Sequence, residues 1–306
     1  MNFEIIINHS CSLFKEFESV IPNHNKSMLS LVNDFEEGQW RFNNFQNFLW
    51  DNIKETALSY RERLSLIDGG EFSILSEASK NLRLIDGKSD FGKGSEIAEI
   101  ILYGIMKHHY KALPVVPKIF YKQNSQDNAK GADSVHIVVE EDNKFSLWFG
   151  ESKFYNNLEN SRLNSIVDSV YNSLNKDKVK KENSIITNIA DLNDFDDISD
   201  EVRNNIKELL SHSTSIDKIK PILNIPILLL HECEITKNET HLTKSYIESL
   251  KLKHVSIAKE YFSRQLKKCK DVDLYSKIKF HIILFPVSNK KCIVDSFLDK
   301  ARIFRS

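Results

Sequence analysis

The sequence contains little glycine or proline and no long apolar run. Nine glycines and six prolines among 306 residues argue against long flexible linkers, so we expect a compact body. No segment approaches the roughly 18 consecutive apolar residues that a membrane span needs. The first residues, MNFEIIINHS, also lack the basic region of a secretory signal. We therefore expect a cytoplasmic protein with no membrane partner.

Cysteines are few, and net charge is almost absent. Four cysteines occur far apart and form no C-x-x-C pair, which indicates neither a disulfide framework nor a zinc ribbon. The 42 basic and 43 acidic residues leave a net charge of −1, so the overall charge does not indicate a nucleic-acid partner. Any DNA-binding surface must come from local clustering of basic residues.

The length predicts either two modules or one elaborated core, because a typical domain has roughly 100 to 200 residues. In the first part of the chain, five aromatic residues have the spacing of a helix that buries one face: Trp40, Phe42, Phe45, Phe48 and Trp50. Turn residues precede residue 95. We therefore predict a helical or mixed N-terminal extension over residues 1–88, a candidate for binding a partner, and a catalytic domain over 89–306.

From residue 95 onward, helical and strand patterns alternate. The periodicity predicts helices over 95–110, 158–174, 243–268 and 292–304, with Ser95 as the N-cap of the first. Strands are predicted over 119–122, 132–140, 145–154, 225–231 and 278–287. This order predicts a mixed α/β fold in which helices flank a mixed central sheet.

Three charged residues stand out on the predicted hairpin. Glu151 and Lys153 share one face of their strand because side chains alternate with a period of two. A three-residue hairpin loop would place Asp133 directly opposite Glu151, with side chains about 5 Å apart. A four-residue loop would instead place Asp133 opposite Ser152 and send it to the other face unless a bulge corrected it.

Two carboxylates this close repel each other unless a cation lies between them, and Mg²⁺ or Mn²⁺ is the hard ion that carboxylate oxygens prefer. Phosphodiester hydrolysis needs such a metal to activate water, and a cation to orient that water. We therefore predict Asp133 and Glu151 as metal ligands and Lys153 as the catalytic lysine.

Glu99, within an apolar helical stretch, is the candidate further ligand, with Glu96 as its competitor. The alternative is a surface hairpin with a simple ion pair.

The spacing D-x17-E-x-K is weak by itself, because acidic residues and lysines are frequent in this chain. Together with the predicted hairpin, Gly150 and the preceding helix with its glutamate, it fits a magnesium-dependent DNA nuclease of the PD-(D/E)XK type. Three blocks, AEIILY around Glu99, Gly131 to His136 (GADSVH) and Gly150 to Tyr155 (GESKFY), resemble the HamA family, the nuclease subunits of the Hachiman anti-phage system. The resemblance covers roughly residues 90–290. Ala132 stands where the name-giving proline would precede Asp133.

The resemblance implies a restriction-endonuclease-like (PD-(D/E)XK) core that holds Mg²⁺, for which Mn²⁺ can substitute, through Asp133, Glu151 and Glu99. It also implies a heterodimer with a superfamily 2 helicase, HamB, which controls degradation of DNA. We expect cutting with little base specificity, because no motif that would read base edges is present. A rival hypothesis is a catalytically degenerate nuclease fold that binds and regulates a helicase.

Other polar features are weaker candidates. Residues 244–270 carry six more positive than negative charges, which fits contact with a phosphate backbone, a solvated helix face or contact with a helicase. His136 has the opposite strand parity from Asp133, so we expect it to face the other side of the sheet. His231 and Cys233 are expected to have structural roles.

Overall fold

The computed structural model describes residues 3–10, 25–83, 94–122, 132–175, 177–180, 182, 198–211 and 213–306. The predicted boundary at residue 88 and Gly131 of the second sequence block lie outside these residues. The strands, helices and contacts given for this protein are those of the described residues.

Seven strands form one mixed sheet at the centre of the molecule, in the order β1-β2-β9-β8-β7-β6-β5. The four inner strands β2, β9, β8 and β7 run parallel, and the outer strands pair antiparallel. Strands β3 and β4 form a separate two-residue hairpin. The strands are β1 (Glu4–Ser10), β2 (Lys26–Val32), β3 (Phe35–Glu36), β4 (Gln39–Trp40), β5 (Leu113–Val116), β6 (Ser134–Val139), β7 (Phe145–Tyr155), β8 (Leu223–Glu232) and β9 (Lys279–Val287).

Helices cover both faces of this sheet. They are α1 (Phe42–Ala57), α2 (Tyr60–Ser65), α3 (Gly70–Lys80), α4 (Ser95–His108), α5 (Lys118–Lys122), α6 (Asn160–Ser173), α7 (Asp200–Leu209), α8 (Ile216–Ile219), α9 (Glu234–Lys237), α10 (Lys244–Cys269) and α11 (Lys290–Arg305). Residues 177–180 and 182 are also helical.

The alternation of side chains along β7 divides the core between the two faces. Trp148 and Phe154 pack in one apolar cluster with helices α1, α4 and α11. Leu147 and Phe149 point the other way and pack in a second cluster with α6, α7 and the C-terminal half of α10. The near-continuous apolar runs of β8 and β9 follow from burial on both faces, as is typical of parallel strands.

The predicted mixed α/β class, with a mixed central sheet flanked by helices, is confirmed, and it is consistent with a nuclease-like fold. The predicted helix over 95–110 is α4, and the predicted strands over 225–231 and 278–287 are β8 and β9. Differences of one or two residues at their ends are ordinary, since terminal turns and ladder ends are the least regular parts of an element.

Two local predictions were wrong. Residues 119–122 belong to helix α5, which begins immediately after Pro117, and the strand lies earlier, over Leu113–Val116. That strand is the edge of the sheet, where Pro114 is tolerated because one side of the strand needs no hydrogen-bond donors. Ser95 is not the N-cap of α4; Gly94 is, with φ of 124°, a conformation that glycine adopts readily.

The N-terminal segment contributes directly to the central sheet. Strand β2 pairs in parallel with β9, and β1 pairs with β2. Helix α1 packs closely on α4, where Gly104 leaves room for the Phe48 ring: a Cβ at Gly104 would lie 2.5 Å from the Phe48 Cζ atom. The aromatic helix predicted here is α1, although Trp40 precedes it in β4. A role of this segment in binding a partner stays a prediction.

Candidate active site

The β6–β7 hairpin has the register that the three-residue loop predicts. Ser134 pairs with Gly150, and the Glu140 N–H donates to the Lys144 carbonyl oxygen at 2.8 Å. The loop residues Asp142 and Asn143 have φ values of 58° and 57°, a left-handed conformation that Asp and Asn tolerate better than most residues. Ser134 and Gly150 are the last pair of this ladder, and the same register continued by one residue would set Asp133 opposite Glu151.

Asp133 leaves the regular ladder where β6 begins. Its N–H donates to the Gly150 carbonyl oxygen at 2.8 Å. Its carboxylate Oδ2 accepts a hydrogen bond from the backbone N–H of Ser152 at 3.0 Å. In a regular antiparallel ladder, a backbone carbonyl oxygen would accept the bond from this N–H. The side chain of Asp133 is thus fixed against β7 rather than extended into solvent.

Lys153 joins the two carboxylates. Its Nζ atom lies 2.5 Å from Glu151 Oε1 and 3.6 Å from Asp133 Oδ2. The side chains of Glu151, Asp133 and Lys153 are 8%, 17% and 30% exposed, so the group opens toward solvent from Glu151 outward. These three residues, the trio predicted from the sequence, therefore form one contiguous cluster.

Burial governs the ionisation of this cluster. Burial, and then the nearby Asp133 carboxylate, raise the pKa of Glu151, while Lys153 and the hydroxyl of Ser169 act in the opposite direction. Burial alone would lower the pKa of Lys153, but the Asp133 and Glu151 carboxylates outweigh it and raise that pKa. Lys153 is therefore a firmly charged ammonium, and the carboxyl group of Glu151 is harder to ionise than that of an exposed glutamate.

A cavity of about 240 Å³ lies beside Glu151. The side chains of helix α6 form one wall: Ser169 donates a hydrogen bond to Glu151 Oε1 at 2.6 Å, and Asn172 and Ser173 lie next to it. Lys178 and Glu182 line the opposite part. The cavity is polar on several sides, which suits water or a charged ligand.

A buried ion pair next to this cavity was not found from the sequence. Glu182 Oε2 lies 2.6 Å from Lys118 Nζ, and both side chains are almost fully buried, at 4% and 3% exposure. Glu182 Oε1 also accepts the backbone N–H of Ala132 at 2.9 Å. The pair thereby fixes the residue that immediately precedes Asp133. Its partners are 64 positions apart, and no sequence spacing could have joined them.

Glu99 and Glu96 lie on helix α4, which packs on the opposite face of the sheet from Glu151. A Cβ at Gly150 would meet Leu102 of this helix at 2.7 Å, and Gly150 points away from the Glu151 face. Glu99 is buried at 5% exposure. Glu96 accepts the backbone N–H of Arg83 at 2.9 Å, so it links α4 to the preceding segment.

Three histidines of the described residues, His136, His231 and His254, are buried in the core. His136 faces α4, as its strand parity predicts, with its ring 4.6 Å from that of Tyr103. Burial lowers its pKa to about 3, so it is a neutral core residue. His231 and His254 pack together in the core, 5.5 Å apart.

The basic segment 244–270 is helix α10, and several of its cations are engaged. Lys251 pairs with Glu248 at 2.9 Å, and Lys268 pairs with Asp168 at 3.1 Å. Arg264 pairs with Glu260 and donates to the Asn160 carbonyl oxygen at 2.7 Å. The first and third of these pairs use the two glutamates already subtracted in the charge balance, so only the pair with Asp168 reduces the excess of six. A role in DNA or helicase contact stays a prediction.

Asp133 and Glu151 provide two carboxylates for a metal ion. In the part of the chain that the structure describes, no group of three or more His, Cys, Asp or Glu side chains is arranged to hold an ion. Two carboxylates suffice for Mg²⁺, which keeps several waters and takes further oxygens from substrate phosphates. Burial first, and then repulsion from Asp133, raise the Glu151 pKa, and a divalent cation would offset both effects.

The chain matches one known family over most of its length. The family model of HamA matches residues 9–301, which is nearly the whole chain. The chain belongs to the HamA family. Membership of the HamA family makes it a component of the Hachiman defence system. The HamA match begins within β1 and ends within α11, so it includes both the N-terminal strands and the trio. No curated protein matches the chain.

Among the described residues of this HamA-family chain, no helix is both long enough and apolar enough to cross a bilayer.

Proposed function

We propose that the chain is a metal-dependent DNA nuclease that hydrolyses phosphodiester bonds with little base specificity. The observation that carries the proposal is the juxtaposition of Asp133, Glu151 and Lys153, in which one ammonium contacts both carboxylates where β6 begins beside β7. Membership of a defence family supports an effector role. The polar cavity beside Glu151 supports access of water to the same group.

The three residues have distinct roles in this proposal. Asp133 and Glu151 would hold Mg²⁺, or Mn²⁺ in its place. The bound ion supplies Lewis acidity and lowers the pKa of an attacking water. Lys153, charged throughout the ordinary pH range, orients that water and offsets negative charge that develops on the phosphate. Ser169 holds the Glu151 carboxylate in position. Glu99, packed on the other face of the sheet, is the least supported of the predicted ligands, so the proposal does not depend on it.

Metal binding tests the ligand assignment without requiring catalysis. Mn²⁺ titration followed by electron paramagnetic resonance should detect one bound ion, and Asp133→Asn and Glu151→Gln should each weaken binding by about tenfold or more. Asp142→Asn, at the exposed tip of the same hairpin, is the matched control and should bind as the wild type does. Equal affinity in all four proteins would remove these carboxylates from the metal site.

We further propose that a superfamily 2 helicase of the HamB type binds the chain and holds its activity in check. This proposal rests on the family alone. Co-expression with a helicase encoded beside it should yield a stable heterodimer, which size-exclusion chromatography with light scattering would reveal. Recovery of the two chains only as separate species would contradict it.

One observation favours a second candidate function, a degenerate subunit that binds and regulates a helicase without cutting DNA. Lys153 already neutralises much of the charge of the two carboxylates, so the cluster is stable as an ion-pair network. Wild-type protein that is free of any partner and never cuts DNA with Mg²⁺ or Mn²⁺ would favour this function over the first.

A further inference from the structure

Two basic side chains lie just beyond the trio, where β7 ends. The strand ends at Tyr155, two residues after Lys153. The side chains of Lys153 and Tyr155 therefore share one face of β7, about 7 Å apart along the strand. Helix α6 begins nearby at Asn160, and α11 begins at Lys290. Arg162 in the first turn of α6 and Lys290 in the first turn of α11 converge on the last two residues of β7.

Each of these cations is held by contacts with uncharged groups. The Arg162 guanidinium lies over the Tyr155 ring, 5.3 Å from its centroid. Lys290 Nζ donates to the Phe154 carbonyl oxygen at 2.7 Å and lies 5.1 Å from the Phe154 ring centroid. Within the described residues, neither side chain forms an ion pair with a carboxylate, whereas Arg264 and Lys268 on α10 each do.

The two cations also affect each other. Burial lowers the pKa of Lys290, Arg162 lowers it further, and Glu232 opposes them. The Glu232 carboxylate is itself engaged by the backbone N–H of Lys290 at 2.9 Å. Glu232 offsets only part of the repulsion between these two like charges, and an anion with several oxygens would relieve the rest.

We propose that Arg162 and Lys290 bind phosphate groups of a DNA strand as it enters the site past Lys153. DNA as the occupant rests on the proposed function. The geometry favours contacts with successive phosphates over one enclosed anion, because Arg162 and Lys290 reach the end of β7, beyond Lys153, from helices that pack on opposite faces of the sheet. Charge-based contacts of this kind carry no base preference, in keeping with a nuclease of low specificity.

Salt dependence of DNA binding tests this row of phosphate contacts. The dissociation constant of the full chain for a fluorescent DNA duplex would be measured by anisotropy at several NaCl concentrations, with EDTA present to prevent cleavage. Arg162→Gln and Lys290→Gln should each reduce the slope of log K against log salt by about 0.9. The matched controls are Lys291→Gln and Arg302→Gln, since these exposed residues pair with Asp295 and Asp299; their slopes should equal that of the wild type.

Unchanged slopes in both site variants, or a wild-type chain that does not bind DNA, would overturn the proposal. The outcome is separable from that of the nuclease proposal. Wild-type cleavage of DNA with unchanged slopes would retain the nuclease and reject these contacts. Reduced slopes in a chain that never cuts would retain the contacts as a DNA-binding surface and reject the nuclease.

Discussion

The ionisation of Glu151 is the residue-level property on which metal binding at the trio depends. Its raised pKa, caused by burial and by Asp133, means that the carboxyl group keeps its proton to higher pH than an exposed glutamate does. Below that pKa a metal ion must compete with the proton. Metal affinity should therefore fall as pH falls through the Glu151 pKa, and rise to a plateau above it.

Ser169→Ala should raise the Glu151 pKa further, because it removes a hydrogen bond that favours the charged carboxylate. Carbon-detected NMR titration of the carboxyl group in metal-free protein would measure the shift. Ser173→Ala, one turn along α6 and bonded to the Val170 carbonyl oxygen, is the control. A Glu151 titration that is unchanged in Ser169→Ala, or equally shifted in the control, would refute this account of its ionisation.

The buried pair of Lys118 and Glu182 should matter for stability. Glu182→Gln leaves the Lys118 ammonium buried without its counter-charge, so the free energy of unfolding should fall by about 3 to 5 kcal/mol. Urea denaturation would measure it. Glu77→Gln breaks the exposed pair with Lys80 and should change stability by less than about 1 kcal/mol. Similar small losses in both variants would show that the pair does not anchor the segment before Asp133.

Sequence patterns predicted the trio but not its supports. Strand parity was enough to place Glu151 and Lys153 on one face, and the hairpin register was enough to place Asp133 beside them. Ser169 and Glu182 reach the site from other elements, at distances along the chain that no local pattern spans. The hydrogen bond from the Ser152 backbone N–H to the Asp133 carboxylate also depends on where the ladder ends. The alternation of side chains along a strand does not show that position.

At the level of elements, Gly150 sets how closely helix α4 approaches the hairpin. A Cβ there would lie 2.2 Å from Ser134 Oγ and 2.7 Å from Leu102 Cδ2. Gly150→Ala should therefore destabilise the fold by about 1 to 3 kcal/mol, because the helix or the strand must shift.

A double-mutant cycle shows whether this crowding is the cause. Ser134→Ala removes the nearest atom, so Gly150→Ala should lose less stability in that background than in the wild type. Thermal denaturation monitored by circular dichroism would supply the four unfolding free energies. Strict additivity of the two substitutions would indicate that contact with Ser134 is not what Gly150 avoids.

Long periodic segments were predictable, and short ones at the edge of the sheet were not. Helix α4, helix α10 and the buried strands β8 and β9 have strong apolar patterns that fix their type. Residues 113–122 have only a few positions on each side of Pro117, so their pattern fits either structure. Packing decides there: Lys118 at the start of α5 enters the buried pair with Glu182.

At the scale of the whole molecule, the N-terminal strands close one side of the sheet. Without β1 and β2, strand β9 would become an exposed edge with its apolar side chains uncovered. A chain that lacks residues 1–88 should therefore fail to fold cooperatively, as size-exclusion chromatography and urea denaturation would show. A monomeric product with a cooperative transition would mean that residues 89–306 fold independently.

Cleavage of DNA by the purified chain tests the central claim most directly. Plasmid DNA would be incubated with Mg²⁺ and wild-type protein, Lys153→Ala, or Lys144→Ala, an exposed lysine at the tip of the same hairpin. We predict magnesium-dependent degradation by the wild type and by Lys144→Ala, and a rate lower by about 10²- to 10³-fold in Lys153→Ala. Degradation by Lys153→Ala at the wild-type rate would contradict the assignment of the trio.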